Sequence, residues 1–203
     1  MMSTKFLVIS DIHGNERSLN KIKACYHKYD PDFSVICGDI TNFGPFQDAV
    51  KILERIPTDI IGIIGNCDPN SVIQAYEEVE EEYIELKLTE KEGLDFIGLS
   101  GSSYSDDKLK TFEKRAGSAD VFVLHQPPYN TLDKTSKGKH IGDKYLRTII
   151  QNKEPKLVLS GHVHESRGIV EKEETMFMNP GPAMEDKLGL VKIKQNKLIP
   201  KLI

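Results

Sequence analysis

The sequence predicts an α/β protein built as a two-sheet β-sandwich flanked by helices. Three observations predict it. Five short runs, at residues 6–10, 33–37, 60–64, 121–124 and 157–160, hold Val, Ile, Leu and Phe with little polar alternation. Such runs read as strands buried on both faces, usually parallel and covered by helices. The first third alternates strand, helix, strand, helix, strand, the order of a parallel sheet with right-handed crossovers. The last forty or so residues instead read as a series of short strands. A helix-rich beginning and a strand-rich end place two sheets face to face with helices outside.

The elements follow in order. After the strand at 6–10, the Gly14-Asn15 break opens a helix over 17–29, with Leu19, Ile22, Lys23 and Tyr26 at helical spacing. A strand at 33–37 leads to a helix over 45–55 that starts at Pro45, a favoured first-turn residue. The third strand covers 60–64, and Asp68-Pro69-Asn70-Ser71 turns the chain into a short helix. The acid-dense stretch 77–85 reads as a solvated face or loop. Strands at 84–88 and 94–100 flank a Glu92-Gly93 turn, and a helix over 106–116 leads to the strand at 121–124. Residues 126–142 form a long loop with two prolines, two glycines and three lysines, a length that is often functional. A helix over 143–152 and the strand at 157–160 follow. Short strands at 167–171, 175–178, 188–194 and 197–202 complete the chain, with Gln195-Asn196 as a hairpin turn.

The chain has 203 residues, enough for one well-cored domain over 1–203 and short for two. A net charge of -4 gives no support for broad electrostatic binding to nucleic acid or anionic membrane. No apolar stretch nears the roughly 20 residues of a membrane span. The first apolar run is shorter than the about 7–15 residues of a signal-peptide core, so the expected location is cytoplasmic. Three cysteines do not suggest a disulfide framework. Cys25 and Cys37 read as packing residues.

The apolar runs share one further property: each ends on residue types that bind metal. The first runs into Asp11 and His13, the second through Gly38 into Asp39, and the third through Gly65 into Asn66. The fourth ends at His125, and the fifth passes through Gly161 to His162 and His164. Ligands of open α/β sheets bind outside the carboxyl ends of the strands, so these side chains meet there although far apart in sequence. Glycine at 38, 65 and 161 suits a sharp strand exit, where backbone angles unfavourable to other residues are expected. Each element alone is weak, since Asp and Asn also serve turns and a lone histidine is commonly a satisfied buried one. Yet four of the six histidines fall at these strand ends, leaving only His27 and His140 elsewhere.

Asp11-Ile12-His13, Gly38-Asp39, Gly65-Asn66-Cys67-Asp68, His125 and Gly161-His162-Val163-His164, in that order, resemble the calcineurin-like metallophosphoesterase superfamily. The Gly-Asn-Cys-Asp variant and the size look like its small prokaryotic phosphodiesterases. The resemblance implies a four-layer α/β/β/α sandwich and two divalent metal ions. Asp11, His13, Asp39 and His164 would hold one metal; Asp39, Asn66, His125 and His162 would hold the other, with Asp39 bridging. Mixed oxygen and imidazole ligands suit manganese, the metal expected here, and also iron, zinc or nickel. The implied reaction is phosphate-ester hydrolysis by in-line attack of a metal-bridging hydroxide, on a small phosphodiester above all.

Three residues carry open questions. Many relatives have histidine where this chain has Cys67, and that histidine protonates the leaving group or contacts phosphate. A neutral thiol is a poor donor. His140 on the long loop is a substitute acid or else a solvated loop residue. Asp68 either orients a neighbouring group or caps the turn before Pro69. Lys134, Lys137 and Lys139 would let the loop reach over the site to substrate phosphate. The rival function is a metal-binding protein-interaction scaffold without catalysis, which the complete ligand set disfavours. Nucleic acid is not expected beyond short oligonucleotides, and the oligomeric state is left open.

Overall fold

The first apolar run forms β1 (Lys5–Ile9), and its residues divide by parity. Phe6 and Val8 face one core, Leu7 and Ile9 another. A strand buried on both faces needs this division, and it repeats through the structure, a computed structural model that describes residues 4–195 and 197–203. β2 (Phe33–Cys37) and β3 (Asp59–Ile63) lie parallel to β1 in register, with Val8 opposite Val35 and Val35 opposite Ile61. β4 (Glu82–Tyr83) adds a short parallel edge. On the other side of β1, β11 (Gly189–Lys194) and β12 (Lys197–Leu202) pair antiparallel. The first sheet therefore runs β12-β11-β1-β2-β3-β4.

The second sheet is built from β5 (Thr89–Lys91), β6 (Leu94–Leu99), β7 (Val121–Leu124), β8 (Leu157–Leu159), β9 (Gly168–Lys172) and β10 (Thr175–Asn179). Its order is β5-β6-β7-β8-β10-β9, parallel from β6 to β10 with antiparallel edges. Between the sheets, Phe6, Phe33 and Phe96 meet, with the first two stacked at 4.9 Å and the others edge to face at 5.9 Å. α1 (Ser18–Tyr29), α2 (Phe46–Leu53) and α3 (Ile73–Glu78) cover the outer face of the first sheet through Leu19, Ile22, Ala49, Ile52 and Tyr76. α4 (Asp106–Ala116) and α5 (Lys144–Lys153) cover the second through Leu109, Phe112, Leu146 and Ile150. The layers are helix, sheet, sheet, helix, as the sequence predicts. Among the described residues no helix is long and apolar enough to cross a membrane.

Three local expectations are corrected. Pro45 precedes α2 in extended conformation rather than forming its first turn. No strand spans 84–88: β4 ends at Tyr83 and β5 begins at Thr89, with Ile84 buried between them. The acidic stretch is likewise not all solvated, because β3 needs an edge partner. Glu81 accepts the Ile60 N–H, and β4 completes the sheet. The Gln195-Asn196 turn involves Asn196, outside the described residues; β11 and β12 pair up to Lys194 opposite Lys197.

Candidate metal centre

All seven side chains expected as ligands follow the carboxyl ends of β1, β2, β3, β7 and β8, and the two sheets bring those ends to one rim. Backbone bonds join them. The Asp11 N–H donates to the Gly38 carbonyl, the His13 N–H to the Asp39 carbonyl, and the Gly161 N–H to the His125 carbonyl. The His162 N–H reaches both Asp11 oxygens, at 3.3 and 3.2 Å.

Asp39 sits in the middle. Its Oδ2 lies 3.6 Å from His13 Nε2 and 3.4 Å from His125 Nε2. On one side, Asp11 Oδ1 is 3.2 Å from His164 Nε2, which is 3.4 Å from His13 Nε2. On the other, Asn66 Oδ1 is 3.0 Å from His125 Nε2, and the His162 ring packs edge-on against His125. The structure holds groups of potential ligands at Asp11, His13 and His164, at Asp11, Asp39 and His125, and at His13, Asp39 and Cys67.

The donor set fits divalent cations. Metal bonds of about 2.0–2.2 Å set neighbouring ligand atoms about 3–3.5 Å apart, close to the separations observed. His125 Nδ1 donates to the Cys37 carbonyl at 2.8 Å, which in the neutral ring leaves Nε2 as a bare lone pair facing two oxygens. A proton or a cation must lie there. With a proton, burial works to lower the His125 pKa, but the Asp39 hydrogen bond and the Asp39 and Asp11 charges outweigh it and raise it to about 9. Burial opposes ionisation of Asp39, yet His125 and the Cys67 N–H at 2.7 Å hold its pKa at about 2. Burial and then the His125 charge lower the pKa of His162, which favours the neutral imidazole a metal needs.

The backbone here is unusual. Asp11, His13, Asp39 and His162 all have positive φ, between 49° and 65°. Such angles are uncommon outside glycine, though Asp and His tolerate them best. They turn each side chain sharply from its strand axis into the rim. Gly38, at φ 93°, meets the expectation of an unusual backbone angle. Gly65 and Gly161 do not, and their role is close approach. A Cβ on Gly65 would overlap Asp39 Oδ1, and one on Gly161 would overlap Ser10 Oγ and lie 2.6 Å from Asp11 Oδ2.

The remaining candidates separate. Cys67 lies beside the cluster, with Asn66 Nδ2 donating to its sulfur at 3.3 Å. Burial, then the Asp39 charge, push its thiol up to about 12, so it keeps its proton at neutral pH. Asp68 accepts from the backbone N–H groups of Gly65, Ile40 and Thr41 and from the Thr41 hydroxyl, at 2.7–3.0 Å. It does not cap the turn before Pro69; the cap residue is Pro69 itself, with no side-chain bond. Asp68 clamps the loop after Asp39 to the end of β3. Burial raises its pKa, and the three backbone donors pull it back.

His140 is turned into its own loop, with Nδ1 2.7 Å from Asp133 and its ring against Tyr129. That loop docks beside the cluster. The Lys134 N–H donates to Ser166 Oγ, and the Ser136 N–H donates to Glu165. Lys134, Lys137 and Lys139 are exposed. Between this loop and His164 lies a cavity of about 370 Å³ lined by Ser136, His164, Glu165, Glu185 and Lys187. Sequence reasoning missed Glu185 and Lys187. Their segment reaches the site because the Ala183 and Met184 N–H groups donate to the Ser10 and Asp11 carbonyls. The Asn179-Pro180-Gly181-Pro182 run after β10 was the available signal, a sixth strand end with turn residues.

The family model for calcineurin-like phosphoesterase matches residues 4–166. An uncharacterized protein of Methanocaldococcus jannaschii is 29% identical over 199 residues, covering 88% of each chain. Among solved structures, an archaeal phosphodiesterase aligns at TM-score 0.62 and 17% identity, covering 98% of this chain and 100% of that one. A dimetal phosphatase from Danio rerio aligns at TM-score 0.71 and 9% identity, covering 98% and 95%. At these identities the two structures speak for the fold alone.

Proposed function

The chain belongs to the calcineurin-like phosphoesterase family, and from that premise we propose that it is a dinuclear-metal phosphodiesterase acting on small phosphate esters. The observation that carries the reading is Asp39, whose Oδ2 stands 3.6 Å from His13 Nε2 and 3.4 Å from His125 Nε2. One carboxylate oxygen between two imidazoles suits a bridge between two cations. Asp11, His13, Asp39 and His164 would hold one, and Asp39, Asn66, His125 and His162 the other. When bound, two such ions supply Lewis acidity toward phosphoryl oxygens and an activated water. Manganese is the expected metal, with iron, zinc or nickel compatible with the same donors.

The chain's own groups prepare that site. The Cys37 carbonyl fixes the His125 ring and its tautomer. The Cys67 N–H holds the Asp39 carboxylate in place and favours its ionised form. Asp11 anchors the His162 backbone while facing His164. Cys67 keeps its own proton, so the leaving oxygen needs another donor. His140 would have to leave Asp133 to serve as that donor. Without a strong acid beside the cluster, esters with good leaving groups are the preferred substrates.

The test is hydrolysis of bis-p-nitrophenyl phosphate with elemental analysis of the same sample. The expected result is about two metal ions per chain, turnover abolished by EDTA and restored by Mn²⁺, and a loss of at least about 10²-fold in Asp39→Asn. Full metal loading without hydrolysis of monoesters, diesters or cyclic nucleotides would replace this reading with that of a metal-binding scaffold.

A further inference from the structure

Phe43 is 72% exposed, on the loop between β2 and α2. Three residues later, Phe46 packs against the core under α1 and α2. At the start of α2, Phe46 is half-buried against the core, whereas Phe43 on the loop is displayed. Phe43 also has a φ of 57°, which for a bulky side chain is a genuine outlier. The loop is pinned in that shape from both sides. The Phe43 N–H donates to the Cys67 carbonyl at 2.8 Å, and Thr41 is held by Asp68 through its backbone and its hydroxyl. Cys67 in turn donates its N–H to Asp39 at 2.7 Å. The displayed ring is therefore mounted on the backbone that positions the central carboxylate.

We propose that the Phe43 ring is a stacking platform for a nucleobase carried by the phosphodiester substrate, an inference that rests on the phosphodiesterase reading above. The surroundings favour a base over a protein partner. Among the described residues the other exposed large hydrophobics are Leu88, between β4 and β5, and Ile199, on β12. Neither lies on the loop of Phe43, whose exposed neighbours are Asn42 and the single small apolar residue Pro45. A protein-docking patch needs several contiguous apolar side chains. A planar base needs one ring face, and base–aromatic stacking tolerates any base. Two hydrogen bonds, from the Phe43 N–H to the Cys67 carbonyl and from the Cys67 N–H to Asp39, tie the Phe43 backbone to the central carboxylate.

The sequence contains no tryptophan, so Phe43→Trp carries a lone indole at the platform. In the Mn²⁺-loaded variant, adenosine 5′-monophosphate is expected to quench the indole saturably, and ribose 5-phosphate is not. In kinetics, Phe43→Ala is expected to raise KM about tenfold for thymidine 5′-(p-nitrophenyl phosphate). It should leave KM for ethyl p-nitrophenyl phosphate, which has the same scissile bond and no base, unchanged. Phe43→Tyr should keep the wild-type KM for both. Equal KM shifts on the two esters, or equal quenching by the two phosphates, overturns the platform. Base-selective quenching in a protein that hydrolyses neither ester supports the platform and overturns the phosphodiesterase reading.

Discussion

Gly65→Ala tests whether close approach of β3 to Asp39 builds the metal centre. Gly65 has no positive φ, so alanine there meets no backbone penalty of that kind. The obstacle is space. The added Cβ would lie 2.6 Å from Asp39 Cγ and overlap Asp39 Oδ1 and its backbone nitrogen. Carbon atoms pack at about 3.5–4.0 Å, so the carboxylate must retreat by about 1 Å. Asp39 Oδ2 stands within 3.6 Å of imidazoles on both sides, and a 1 Å shift removes it from one of them. Misplacement of that size costs on the order of 10²-fold in rate, and overpacking costs about 1–3 kcal/mol of stability. The assay pairs metal stoichiometry and bis-p-nitrophenyl phosphate turnover with a thermal melt. The control is Gly117→Ala, where φ is 51° but the nearest atom is 3.8 Å away. With φ 51° and ψ -119°, it should lose about 1–3 kcal/mol to strain and keep its metal. A folded Gly65→Ala protein with wild-type metal content and turnover would refute the reasoning.

Cys67→His should raise turnover of an unactivated phosphodiester by at least about tenfold, since a general acid is worth ~10²–10⁴; a flat rate with metal content intact counts against a missing acid at this position. Asp68→Asn keeps one acceptor oxygen and turns its N–H₂ toward either the Thr41 N–H or the Ile40 and Gly65 N–H groups; it should cost about 1–3 kcal/mol, lowering Tm by roughly 2–12 °C, and an unchanged melt would show the clamp to be dispensable. In EDTA, His125 should make stability depend on pH. Its folded pKa is raised to about 9 from 6.5, so its contribution is complete below pH 6.5 and is lost as pH rises through about 9. Mn²⁺ replaces the proton and should flatten that profile between pH 7 and 9, as melts with and without metal would reveal.

The parts of the fold legible in the sequence were those with one physical explanation. Runs such as Phe33-Ser34-Val35-Ile36-Cys37 fit only a strand covered on both faces, and β2 is buried throughout. α4, expected at 106–116, has those bounds because Ser105 caps it and Gly117 ends it. The region 77–91 was misread because its strands are short and acidic, and pairing with β3 and β6 created them. The roles of Gly65 and Gly161 were assigned to backbone angles, whereas packing against Asp39, Ser10 and Asp11 explains both.

By itself, the sequence determined which residue types end the buried strands, and strand direction alone was enough to gather them. Asp11, His13, Asp39, Asn66, His125, His162 and His164 converge because parallel strands share a carboxyl rim. The tertiary structure decided what no local pattern encodes. It set positive φ at Asp11, His13, Asp39 and His162. It turned Asp68 into a clamp and His140 toward Asp133. It brought Glu185 and Lys187 beside His164 and left Phe43 facing solvent with its N–H on the Cys67 carbonyl. Each of these depends on contacts between segments distant in the chain, and sequence periodicity carries no record of such contacts.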